Sequence, residues 1–164
     1  MNTRRLATVA LATVVAATAA LSATGCTFIS PQATTISYSP SDGVSVPASG
    51  PLSVRNALLV ADESGENANF IAAIVNDTDS AETLLVGIDG VNKSVRVPAN
   101  STVSLGFDGD DPLLFTGLDA APGIDLEMTF QSGDGEGVVQ SIPVLDGSLD
   151  YLADFVPEAD SEDE

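Results

Sequence analysis

The chain has no histidine, no tryptophan and a single cysteine in 164 residues, and only 5 basic side chains against 24 acidic ones. Each shortage excludes a class of chemistry. Without histidine there is no Ser-His-Asp or Cys-His relay and no imidazole metal ligand. One cysteine forms no internal disulfide and no thiolate cluster. A formal charge of −19 lacks the basic footprint of a nucleic-acid binder. Aromatic content of 5% leaves little with which to stack bases or sugars. No carboxylate pair is set off by an apolar, aromatic-walled segment that raises one pKa, so the sequence reads as non-catalytic and without a cofactor.

What is present begins with an N-terminal leader. Arg4 and Arg5 precede an uncharged run of Ala, Val, Leu and Thr from Leu6 to Leu21. Sixteen residues at about 1.5 Å each make roughly 24 Å of helix, short for a membrane span and right for the apolar region of a signal peptide. The run ends in Leu21-Ser22-Ala23-Thr24-Gly25-Cys26. Small residues directly before a lone cysteine resemble the lipobox of bacterial lipoproteins, with Ala23 where leucine is usual. The resemblance implies cleavage between Gly25 and Cys26 and diacylglyceryl and palmitate chains on Cys26. Two or more acyl chains hold a protein firmly on a membrane. The expectation is a lipoprotein on the extracytoplasmic face of a bacterial cell membrane. Its partners would then be the membrane, through the Cys26 lipid, and an unidentified envelope protein, with no nucleic acid. Loss of Arg4 and Arg5 leaves three bases against 24 acids, a side-chain charge of −21.

Composition divides the remainder. Residues 26–50 hold Pro31, Pro40 and Pro47 among many Ser and Thr, with one charge at Asp42. This reads as a lipidated N-terminus and a flexible tether, in which 44–46 can pair as an edge strand. From 51 to 147 the pattern becomes eight short apolar runs, at 52–61, 69–75, 83–88, 94–97, 102–107, 113–118, 124–131 and 138–145. They are separated by turns rich in Asp, Asn and Gly. Val103, Leu105 and Phe107 alternate with polar residues, as do Ile124, Leu126, Met128 and Phe130. Period-two alternation with one polar face predicts an all-β, antiparallel β-sandwich. Residues 147–155 read as one turn of helix or an additional strand. Residues 148–164 form an acidic C-terminal tail, with five acids in its last seven residues.

The strings FIAAIVN-DTDS-AETLLVG at 70–87, VPANSTVSL at 97–105, LLFTGL at 113–118, GIDLEMTF at 123–130 and SIPV at 141–144 keep one order. In that order they resemble the domain of periplasmic copper(I) chaperones, and of actinobacterial envelope lipoproteins that share its scaffold. The resemblance implies a cupredoxin-like β-sandwich. That family holds Cu(I) with two His and two Met. Here there is no His, and the methionines are Met1, in the leader, and Met128, on an apolar face. One thioether does not hold Cu(I), which needs several soft ligands. No metal site is expected from this set. Asp108, Asp110 and Asp111 form the one weak calcium candidate, since hard carboxylates suit Ca²⁺, but the loop lacks the EF-hand order and its distal Glu.

Three functions remain open on the sequence. The first is a lipid-anchored, non-catalytic binding or accessory module of the cell envelope. The second is a divergent copper-handling accessory protein related to the chaperones and acting through protein contacts. The third is a calcium-stabilised surface domain.

Overall fold

The computed structural model describes residues 39, 41–107 and 110–158. The leader with Gly25 and Cys26, most of the tether, Asp108 and the acids from 159 onward lie outside the described residues. No helix among the described residues is long and apolar enough to cross a membrane.

Eight strands follow in order: β1 (Leu52–Ala61), β2 (Asn67–Asn76), β3 (Glu82–Ile88), β4 (Val91–Val97), β5 (Ser101–Leu105), β6 (Leu113–Thr116), β7 (Asp125–Ser132) and β8 (Val138–Leu145). They are the eight short apolar runs of the sequence. β1 and β8 have the expected bounds and the others differ at their ends. Alternation is clearest in β7, where Met128 and Phe130 are buried while Glu127, Thr129 and Gln131 face solvent.

The strands form one path, β4-β3-β7-β8-β1-β2-β5, with β6 also paired to β2. The path folds into two layers, β4-β3-β7-β8 and β1-β2 with β5 and β6, whose inner faces share one core. This is the all-β sandwich expected. Phe70 of one layer meets Phe130 of the other with ring centroids 5.9 Å apart. Phe115, Leu59, Leu84, Met128 and Ile142 are among the other large side chains fully buried between the layers, each contributing about 1.5–3 kcal/mol by burial.

One pairing departs from the antiparallel expectation. β8 pairs antiparallel with β7, and then its last residues, Val144 and Leu145, lie parallel to Leu59 and Val60 of β1. The two strands run in the same direction when they meet, so the layers join through a short parallel step. It is confined to two residue pairs.

The folded unit reaches beyond 51–147 at both ends. Val44 bridges Ala57, and the Val46 N–H donates to the Val54 carbonyl, so the edge pairing expected at 44–46 forms against β1. After β8, residues 149–157 cross the outer face of β1 and β2. Leu152, 2% exposed, packs with Leu58, Val60 and Ile71 in a second apolar cluster joined by Phe155 and Val156. Of the two expectations for 147–155, helix turn or strand, the helical one is closer: a 3-10 turn spans Ala153–Phe155.

Asn76 ties the layers together at one end. It is fully buried at the end of β2, yet its Nδ2 donates to the carbonyls of Ser80, Val97 and Pro98, at 2.8, 3.1 and 2.9 Å. Its Oδ1 accepts from the Thr78 N–H and hydroxyl. Truncating it removes the side-chain partner of the buried Val97 carbonyl and of several part-buried groups at once. Asn76→Ala is expected to lower unfolding stability by about 3 kcal/mol in urea denaturation. Asn92→Ala, at an exposed site, is expected to change it by less than about 0.5 kcal/mol.

Candidate functional site

Met128 stands on the inward face of β7 and has no solvent exposure. Its neighbours on that face, Leu126 and Phe130, belong to the same core, so its thioether is packing and reaches no surface site. Among the described residues no group of three or more His, Cys, Asp or Glu side chains is placed to hold a metal ion.

Two members of the calcium candidate are described. Asp110 serves its own loop: its Oδ2 accepts from the Ser104 N–H at 3.3 Å, its N–H donates to the Phe107 carbonyl, and its carbonyl accepts from the Gly106 N–H. Asp111 is exposed to solvent. Asp108 lies outside the described residues. Asp79 likewise accepts from Asn100 Nδ2 at 3.2 Å, within a turn contact.

The most enclosed carboxylate among the described residues lies elsewhere, in the β1–β2 turn. Asp62 is 7% exposed. Burial pulls its pKa up, but hydrogen bonds from Ser64, Asn67 and the Gly65 and Asn67 backbone outweigh this and hold the carboxyl below its ordinary value. The side-chain distances are 2.7 Å to the Ser64 hydroxyl and 2.8 Å to Asn67 Nδ2. Asp62 borders an open depression of about 480 Å³ with Glu63, Pro122, Asp146 and Val156. An adjoining depression of about 310 Å³ shares Asp62, Glu63 and Val156. The Asp146 pKa is also lowered, by the side chain and N–H of Ser148. Both carboxyls are thus fixed as anions at neutral pH. A general acid needs the opposite, a pKa raised toward neutrality. The polar turn was visible in the sequence; the burial of Asp62 was not, because it depends on how the following loops and the 149–157 segment pack around it.

Of the three bases in the described region, Arg55 and Arg96 are exposed on β1 and β4. Lys93 places its ammonium 5.6 Å from the centre of the Phe115 ring, a cation–π contact.

No protein-family model matches the sequence, and no curated protein matches it. Solved structures do. The chain is similar to the apo PCuAC domain from PmoF1, with a TM-score of 0.50 and 22% identity over 60% of this chain and 96% of that one. It is also similar to the apo PmoF2 PCuAC domain, with a TM-score of 0.48 and 18% identity over 62% of this chain and 95% of that one. For the copper-bound PCuAC domain from PmoF2 the values are 0.48 and 18%, over 61% and 97%. At this identity the likeness is one of fold: the sandwich is that of a copper-chaperone-like domain.

The Asp62 turn makes the stability depend on pH in a definite direction. A carboxyl whose folded pKa is depressed stabilises the fold above its unfolded value of 3.8, and that contribution is lost as pH falls through the lower folded value. Asp62→Asn is expected to melt below the parent protein at pH 7, and the gap is expected to close below pH 3.8. Thermal melts of both proteins across this range test it; a gap independent of pH contradicts the assignment.

Proposed function

We propose that this chain is a lipid-anchored, extracytoplasmic accessory protein linked to copper handling, acting through protein contacts without catalysis and without itself ligating the metal. One observation carries the reading. The domain has the sandwich of a copper-chaperone-like domain, yet the one methionine in its described part, Met128, is sealed in the core. The neighbours are PCuAC domains and one of them is copper-bound, which supports the copper link. The absence of histidine from the sequence supports the exclusion of direct Cu(I) ligation. Lowered carboxyl pKas at the Asp62 depression argue against a general acid there. The Gly25-Cys26 pair after an apolar run supports anchoring.

The tests separate these parts. A soluble fragment from residue 39 onward is expected to leave Cu(I) with a chromogenic chelator; stoichiometric withdrawal of copper contradicts the non-ligating role. Deleting the gene is expected to alter copper tolerance or the copper loading of envelope enzymes, and unchanged values across copper concentrations remove the copper link. A palmitate analogue is expected to label the protein and Cys26→Ser to abolish the label; labelling that persists in the variant refutes the anchor at this residue.

A further inference from the structure

The chain has six phenylalanines, and the sandwich core takes Phe70, Phe115 and Phe130. Phe107 and Phe155 are used differently. They meet edge to face on the outer side of the β1-β2 layer, with centroids 4.8 Å apart and planes at 65°. Phe107 is 43% exposed. Alternation along β5 assigns it to the inner face with Val103 and Leu105, but Gly106 has φ +84° and turns the chain, so Phe107 leaves that face. A Cβ at Gly106 would stand 2.6 Å from Ile71 Cγ2 and 3.3 Å from the Phe155 ring, so the turn requires glycine both for its dihedral and for its space.

The pair is held from several sides. The Phe107 N–H donates to the Ser104 carbonyl at 2.9 Å, and the Phe107 carbonyl accepts from the Asp110 N–H at 3.0 Å. The Phe155 carbonyl accepts from Asn69 Nδ2 at 3.0 Å. Leu114, 41% exposed, is the register partner of that same Asn69 on the outer face of the layer. Three apolar side chains from three separate segments are thus presented in a fixed arrangement, which spares a binding partner the entropy of ordering them.

Charge specifies the partner. Asp110 and Asp111 follow the Phe107 turn, Asp154 precedes Phe155, and all three are exposed. No base occurs in the sequence after Arg96, and the register row Arg55–Ala73–Ser104 brings one base, Arg55, to this face against the three acids. A second copy of this chain would bring like charges together, and anionic headgroups would be repelled. We propose that Phe107, Phe155 and Leu114 form the apolar centre of a docking surface for a basic protein partner, whose Lys and Arg side chains pair with Asp110, Asp111 and Asp154 around it. The inference rests on the reading of the domain as one that acts by protein contact, and supplies the surface for that contact.

Site-directed photo-crosslinking in the full chain, in its native host, tests it. A benzophenone amino acid replaces Leu114, or Ser141 on the outer face of the other layer as control. The expected result is a covalent adduct from position 114 with one protein of basic surface, and none from 141. The double variant Asp111→Lys, Asp154→Lys is expected to reduce the adduct about tenfold at unchanged melting temperature, since it alters rim charge and leaves the phenylalanine pair in place. No adduct at 114, equal adducts at both positions, an adduct with lipid or with a second copy, or indifference to the charge reversal overturns the proposal. An adduct whose partner has no relation to copper upholds the surface and counts only against the copper link. A copper phenotype without any adduct at 114 overturns the surface alone.

Discussion

The rest of the structure depends on β1 and β2, a strand pair that is apolar on both faces. In β1 the stretch from Ala57 to Ala61 is buried without interruption. Such a run cannot form one side of a simple two-layer sandwich, because its outer residues would face water. The inner side, with Leu59 and Phe70, is covered by the opposite layer. The outer side, with Leu58, Val60 and Ile71, needs a separate cover, which Leu152, Phe155 and Val156 provide. The course of residues 149–157 follows from the need for this second cover.

The sequence displayed some of this and hid the rest. Eight strands were legible because alternation and turn residues are local signals, read within a dozen residues. Met128 was legible as core for the same reason, since Leu126 and Phe130 flank it at spacing two. The parallel step between β1 and β8 was not, because it records where distant strands meet. Nor was the burial of Leu58, Val60 and Ile71 on the outer face, which depends on Leu152 and its neighbours, far along the chain. Phe107 misled for a local reason: one residue of positive φ ended the alternation just before it. Asn76 stood in plain view at the end of the family-like string FIAAIVN. Only the three carbonyls around its amide reveal that the position serves the fold.

The candidate sites show the same division. Ligand chemistry is a matter of residue identity, so the lack of histidine could be read directly from the composition. Whether a carboxylate acts in a loop or on a ligand is a matter of hydrogen-bond partners. Asp110 spends one oxygen on the Ser104 N–H, and Asp62 accepts from two side chains in its own turn. Fold and residue content are separate observations in this protein: the sandwich resembles that of a copper-chaperone-like domain, while the sequence holds no histidine.

The sharing of β8 between layers bears on the order of folding. Val144 and Leu145 join Leu59 and Val60 from opposite ends of the folded region, and 149–157 then closes over the same strand. Contacts of such long sequence separation form late and slowly. Local hairpins such as β3–β4 and β7–β8 are free to form early, but β1 has neither its parallel neighbour nor its outer cover until the C-terminal residues are in place. The domain is thus completed by the last part of its chain, and a product truncated before residue 149 would carry an apolar, uncovered strand pair open to misassembly.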